Sequence, residues 1–374
     1  MIYDVIIIWA WAAWLFCSIN LPKNLSKLIL EKNDKPWIKV LLSGWERANV
    51  SNVDIEPQRD YFWQNKKALI SIFKRFSNWD TISFFAENWI KIIEEDRWRL
   101  ILESWDSKQL LSLLLEKSKE NNTSLLLKSE VSRIQQNNLG VFEVKLLDWR
   151  LYKAKNVIVS AWWKSFSQVW TTWDWYNFAN DFWIKVINPH RWLCWLVSRK
   201  DLSSISWVST NLKVILRDKT DIKKVIYEEF WPLLFTHFWI SWPVIFNVSV
   251  AIWEYLNKNL VENEEQKIKE DLFLELYFDL ENTPKRIKSF FELEKNLENE
   301  AILIELQGYR SWKEAKVSWG WVSIDELDNF MQSKKQKGLF FIWEVVDITW
   351  KTWWFNLQWA WSSAFVCSQF FLKL

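Results

Sequence analysis

Apolar residues open the chain as a near-continuous run, Ile2 to Ile8 (IYDVIII), the pattern of a strand buried on both faces of a parallel sheet. Leu15 to Asn20 then reads as the beginning of a helix, and Lys27 to Leu30 (KLIL) as a second strand ending at Glu31. Val141 to Leu147 and Leu151 to Val159 alternate around Asp148-Trp149-Arg150, as the two arms of a hairpin do. Ile184 to Ile215 and Ile302 to Val322 also alternate and predict a β-rich region. Between them, residues 251–300 are rich in Glu, Lys and Leu (NEEQKIKEDLFLELYFDLEN) and predict amphipathic helices whose charge runs are solvated faces. The elements together predict an α/β protein. Val5 to Cys17 is apolar but lacks a basic leader, carries Asp4 before it and is too short to span a bilayer, so no membrane segment or signal is expected.

Composition changes this picture at one point. The 374 residues carry 48 Lys and Arg against 46 Asp and Glu, a net charge of +2. This near-balance predicts no general attraction to nucleic acid or to an anionic membrane. There are, however, 33 Trp and only 5 Gly, where a chain this long would ordinarily hold roughly 26 glycines. Many tryptophans fall where only a residue without Cβ is comfortable. Trp149 occupies the glycine of an Asp-Gly turn, and Ser241-Trp242-Pro243, Thr172-Trp173-Asp174-Trp175 and Thr352-Trp353-Trp354-Phe355 read as turns with the wrong residue. The expectation is that UGA codons meaning glycine in the source were translated as tryptophan. A Trp-rich sugar-binding or membrane-interface protein is the competing reading, but its tryptophans should recur with a period of 2 or 3.6, and these do not. Cys17, Cys194 and Cys367 are scattered and form no CxxC pair, which predicts a reducing, cytoplasmic setting without disulfides or a dithiol relay.

With glycine at those positions the segment after the first strand, Trp9-Ala10-Trp11-Ala12-Ala13-Trp14, reads G-A-G-A-A-G between a strand and a helix. That is the dinucleotide fingerprint: a tight turn, a close backbone approach to a pyrophosphate, and a helix packed on its strand. The helix N-terminus offers N–H groups and a positive dipole end to the phosphates. Glu31, at the end of the second strand, is placed to bind the ribose hydroxyls. As written, three indoles would fill the pyrophosphate space.

Four further blocks carry a family resemblance. Trp37 to Asn52 reads G-I-K-V-L-L-S-G-G-E-R-A-N-V-S-N. Ala161-Trp162-Trp163-Lys164-Ser165 is followed by Thr171 to Tyr176, and Leu234 to Pro243 reads L-F-T-H-F-G-I-S-G-P. Gly338 to Asp347 and Trp353 to Ala360 complete the set, with Trp359 where the family also has Trp. The chain thus resembles, over its whole length, the bacterial flavoproteins described as aminoacetone-oxidase-like FAD-binding enzymes or NAD(P)/FAD-dependent oxidoreductases. It departs from their pattern at Glu46 and Ala48, where glycine and cysteine are usual.

The resemblance implies a Rossmann-like FAD-binding domain formed by residues 1–185 and 320–374. Into it would be inserted a β-rich substrate domain, 186–250 with 301–319, and a small helical cap, 251–300. It implies an FAD site made by Trp9, Trp11, Ala13, Trp14, Glu31, Lys39, Ser43, Gly44, Trp45, Val131, Ala161, Trp162, Trp163, Trp343, Glu344, Asp347, Thr352, Trp353, Trp354, Phe355 and Asn356. In the superfamily an acid at Glu344 holds the ribityl hydroxyls; a plain strand-end carboxylate is the alternative. Arg47 and Asn49 would lie beside the flavin ring, although Arg47 could equally bind a phosphate or pair with Glu46. His237 is the first candidate proton donor, with a structural histidine the competing reading. His190 reads as a loop residue. The histidines and cysteines make no metal-ligand cluster.

The expected activity is NAD(P)H-driven hydride transfer, through the flavin, to a small molecule with an activated C=C or C=O bond. O2-dependent oxidation of a small amine or amino ketone is the alternative. A flavin-bound RNA-associated protein is a third class, disfavoured because no basic stripe with interleaved aromatics is present. The expected partners are accordingly a small-molecule substrate and a nicotinamide nucleotide or O2, with no nucleic acid and no membrane.

Overall fold

The computed structural model describes residues 1–9, 12–35, 49–62, 66–160, 178–259, 261–293, 301–312, 314–315, 317–350 and 353–373. They form two compact units. One comprises described residues up to 189 together with 319–374, and the other spans 190–318.

The first unit is built on a sheet in the order Thr123–Leu126, Lys27–Leu30, Ile2–Ile8, Leu151–Val159, Phe142–Leu146, Val131–Gln136, with Leu339–Phe341 also pairing Leu151–Val159. Its first four strands in this order run parallel, as does Leu339–Phe341, and Phe142–Leu146 is antiparallel to both of its neighbours. The central strands are the most enclosed, Val5 to Ile8 and Leu28 to Leu30 being almost wholly buried, which is why the apolar runs there are continuous rather than alternating. Helix Ala12–Asn20 buries Ala12 to Ser18, and Phe16 meets Phe76, Phe84 and Trp361 edge-on. Trp361 lies in the long C-terminal helix, Trp353–Phe371. This α/β architecture is the one the hydrophobic pattern predicts.

The second unit is a closed antiparallel barrel in the order Leu196–Ser198, Trp239–Ser241, Tyr227–Phe235, Val208–Asp218, Leu272–Phe278, Ile302–Tyr309. Helix Pro243–Lys258 buries Val244, Ile245, Val248, Ile252 and Leu256 in the same apolar core as the strand residues Leu212, Val214, Leu274 and Ile304. The barrel strands within 196–215 and 302–309 follow the alternating pattern of the sequence. One expectation is corrected. Leu272–Phe278, read as part of a helical cap, is a central barrel strand paired on both edges. Among the described residues of 251–300, the helical ones are the end of Pro243–Lys258, Glu264–Asp271 and Lys285–Phe291. The Leu and Glu of LFLELYF favour a helix in isolation, but strand partners on both edges and the aromatic residues override that weak preference. His190, read as a loop residue, lies in strand Val186–Trp192.

The backbone explains where the tryptophans fall. Fifteen described non-glycine residues have positive φ, and ten are Trp: 9, 89, 98, 105, 149, 183, 207, 242, 321 and 343. Positive φ costs an L-residue with a Cβ roughly 1–2 kcal/mol, and bulky side chains rarely adopt it. Trp89 is the clearest case. Helix Asn78–Glu87 is capped by Asn88, Trp89 follows at φ 59, and Ile90 N–H returns to Phe85 O at 3.0 Å. This is the helix ending that favours glycine at the left-handed position. Trp183 repeats it at φ 58, with Ile184 N–H donating to Ala179 O at 3.1 Å. Because the Trp89 side chain is 94% exposed, Trp89→Gly should remove strain without opening a cavity. The expected gain is about 1 kcal/mol, read as a higher urea midpoint; an unchanged or lower midpoint would contradict it.

Candidate cofactor site

The carboxyl ends of the parallel strands are tied side by side. Trp9 N–H donates to Leu30 O at 2.8 Å, Glu31 N–H to Leu126 O at 2.9 Å, Ser160 N–H to Ile8 O at 3.1 Å and Ile342 N–H to Val159 O at 3.1 Å. Trp9, Glu31, Ser160 and Trp343 therefore leave the sheet at one edge, where open α/β sheets bind their ligands. Trp9 turns at φ 68 toward helix Ala12–Asn20, in which Ala13 and Trp14 are fully buried. Glu31 is 3% exposed, and its carboxylate accepts from Asn33 N–H at 2.8 Å and Asn33 Nδ2 at 2.7 Å.

After strand Leu339–Phe341, Trp343–Val345 forms a single 3-10 turn. Asn356, in the first turns of the C-terminal helix, accepts from Trp343 Nε1 at 2.6 Å and donates to the Glu344 carboxylate. Trp359 Nε1 donates to Trp343 O at 3.0 Å. Tyr61 donates its hydroxyl to Phe355 O at 2.7 Å. Asp347 is buried, and burial pushes its carboxyl up to about 7, with Asp325 raising it further and Lys185 opposing. Val131 begins the outer strand of the same sheet and is fully buried. Asn49 is buried at the start of strand Asn49–Asn52.

Several buried polar atoms here have no hydrogen-bond partner among the described residues: Asn49 Oδ1, Ser160 Oγ, Asp347 Oδ1, Thr349 Oγ1, Trp9 Nε1 and Trp14 Nε1. Such atoms are costly unless something polar meets them. The first four are what a bound polar cofactor would satisfy. The two indoles are a different matter, because they are bulk rather than recognition and stand at the turn and helix start where a pyrophosphate needs bare backbone. The residues therefore fit a dinucleotide with glycine at 9 and 14 and do not fit it with tryptophan.

Of the residues implied by the resemblance, Trp11, Lys39, Ser43, Gly44, Trp45, Arg47, Ala161, Trp162, Trp163 and Thr352 lie outside the described residues, and Trp353 and Trp354 are described only as the first residues of their helix. His237 lies in the barrel unit, exposed, between strands Tyr227–Phe235 and Trp239–Ser241. The pattern reading missed Ser160 and Thr349. A small polar residue directly after a continuous apolar strand was the available signal for Ser160. It also missed Gln358, which accepts from Ser51 Oγ at 2.6 Å and Thr81 Oγ1 at 2.9 Å and so ties the C-terminal helix to strand Asn49–Asn52. Among the described residues no helix is long and apolar enough to cross a membrane.

Fold and site together define a Rossmann-type α/β protein with a separate barrel. The family described as "HI0933-like protein Rossmann domain" matches residues 3–370, and the chain belongs to it. Two curated relatives are both named "Ribosomal RNA dihydrouridine synthase". That of Haemophilus influenzae is 28% identical over 97% of this chain and 97% of its own length. That of Escherichia coli is 26% identical over 98% and 97%. Among solved structures, the FrdA chain of E. coli quinol fumarate reductase superposes with a TM-score of 0.54, at 11% identity over 100% of this chain and 70% of that one. A flavocytochrome c3 fumarate reductase gives 0.50, at 11% identity over 99% and 78%. Both likenesses concern the fold. The relatives' name overturns one expectation, that nucleic acid is not a partner. That expectation rested on the near-neutral net charge and on the lack of a basic stripe with interleaved aromatics, whereas an enzyme acting on one base can recognise RNA through local stacking and shape.

Proposed function

We propose that this chain is an FAD-dependent reductase of a uridine C5=C6 bond in ribosomal RNA, supplied with electrons by a reduced nicotinamide nucleotide. The observation that carries the proposal is the extent of the match to the two synthases: it covers 97% of both chains for the H. influenzae protein, so both units take part in it. The net balance is uridine, NAD(P)H and a proton giving dihydrouridine and NAD(P)+. FAD, when bound and reduced, would supply the hydride for C6 of the uracil ring.

The chain's own residues do the rest. The turn at residue 9 and the start of helix Ala12–Asn20 hold the pyrophosphate, and Glu31 the adenosine ribose. Glu344, oriented by Asn356, holds the ribityl hydroxyls. The N-terminus of helix Trp353–Phe371 would offer positive dipole to a flavin ring, where negative charge develops on reduction. By the family resemblance, Arg47 and Asn49 would lie beside that ring. His237 delivers the proton to C5.

The same proposal includes glycine, in the protein as its source makes it, at Trp9, Trp11 and Trp14 and at the described tryptophans of positive φ. The φ values support this, as do the unmet indole N–H groups of Trp9 and Trp14. Trp359 and Trp361 are genuine in this reading: both sit within the C-terminal helix, and both indoles donate to backbone oxygens, of Trp343 and Val50.

Anaerobic stopped-flow on the full chain with glycine at these positions tests the electron path. NAD(P)H should bleach the flavin and unmodified ribosomal RNA should restore its colour. Bleaching by small amines, with RNA without effect, would sink the reading and favour the oxidase.

A further inference from the structure

The barrel carries an exposed aromatic residue on a turn that is fixed on several sides. Phe238 O accepts from Ser198 N–H at 2.9 Å, His237 O accepts from Leu202 N–H at 2.8 Å, and Thr236 N–H donates to Trp239 O at 3.1 Å. The backbone is therefore held, yet Phe238 remains 46% exposed and His237 beside it is also exposed. The Arg310 guanidinium lies 4.9 Å from the Phe238 ring centroid. Arg310 N–H is anchored to Trp195 O at 2.8 Å, and its guanidinium pairs with Glu314.

A lone exposed phenylalanine needs no explanation. One on a braced turn, backed by a guanidinium and next to the candidate proton donor, has the composition of a base-stacking site, since aromatic rings and arginine planes are the sequence-tolerant receptors of unpaired bases. Phe238 and Arg310 are themselves unchanged by the glycine reading, which takes away only the Trp239 ring that Arg310 faces at 4.3 Å and that Phe238 meets edge-on at 4.7 Å. It also meets a need of the reaction, since a uridine presented to a flavin must be unstacked from its neighbours.

We propose that Phe238, backed by Arg310 and beside His237 on the barrel, is a platform on which an unpaired base of the RNA stacks. This rests on the reading of the chain as an enzyme of ribosomal RNA and names the part of the surface that receives it.

The test uses the full chain with glycine at the proposed positions, and its probe is a fluorescently labelled, unmodified ribosomal RNA transcript. Phe238→Ala should weaken binding about tenfold or more, as removal of one stacking partner does, while Phe238→Trp should restore it. Arg310→Gln should weaken it to a smaller extent. Equal binding by Phe238→Ala and the parent, with dihydrouridine still formed by the parent, would overturn the platform and leave the function standing. A parent that neither binds the transcript nor forms dihydrouridine would overturn both.

Discussion

Glycine at residues 9, 11 and 14, with the described tryptophans of positive φ also replaced, is expected to turn a colourless protein into a yellow one that keeps its flavin through gel filtration. The reason is local. Trp9 ends the first strand at φ 68 with its indole 6% exposed, and Trp14 is fully buried in the first turns of the helix. A pyrophosphate needs bare backbone N–H groups at that turn. Reinstating tryptophan at 14 alone should then weaken FAD binding by about 30-fold or more. Overpacking of a closed interior typically costs about 1–3 kcal/mol and a buried unmet N–H a similar amount. Titration of the apoprotein with FAD, followed by flavin fluorescence, reads the effect directly. Equal affinity with and without the indole would mean that the nucleotide does not bind at this turn. Peptide mass spectrometry on protein from the native source decides the same point independently, and finding indole at 9, 11 and 14 there would end the glycine reading.

The second large effect is expected at His237. Removing a general acid usually costs about 10²–10⁴ in rate, so His237→Gln should lower kcat for dihydrouridine formation by that order while changing the KM for RNA little. Glutamine keeps a hydrogen-bonding side chain but has no proton to give at neutral pH. This separates the role in proton transfer from a structural one: if His237 only braces its turn, His237→Gln retains most of the rate.

Much of this was legible because buried parallel strands and alternating barrel strands write different patterns. Ile2 to Ile8 could not be a surface strand, and the residues after it had to turn sharply into Ala12–Asn20. The tryptophans were informative for a physical reason as well: a turn at positive φ selects against Cβ, so the wrong residue at many turns is a signal in itself. Legibility failed where tertiary contacts decide. Leu272–Phe278 has helix-forming residues but two strand neighbours. Ser160, Thr349 and Gln358 matter through partners or unmet atoms far away in sequence, which no local pattern encodes. The nucleic-acid partner escaped both the net charge and the search for a basic, aromatic stripe, because recognition of a single base needs only a few residues that folding brings together. The roles given to Arg47, Ser43 and Lys39 rest on the family resemblance, since those residues lie outside the described ones.

The most direct measurement is the nucleoside content of unmodified ribosomal RNA after incubation with the glycine-bearing protein, FAD and NAD(P)H, digested and analysed by mass spectrometry. The account predicts dihydrouridine in an amount matching the nicotinamide oxidised under anaerobic conditions, and none when FAD is left out. Unchanged uridine, with nicotinamide consumed only when O2 is admitted, would contradict it.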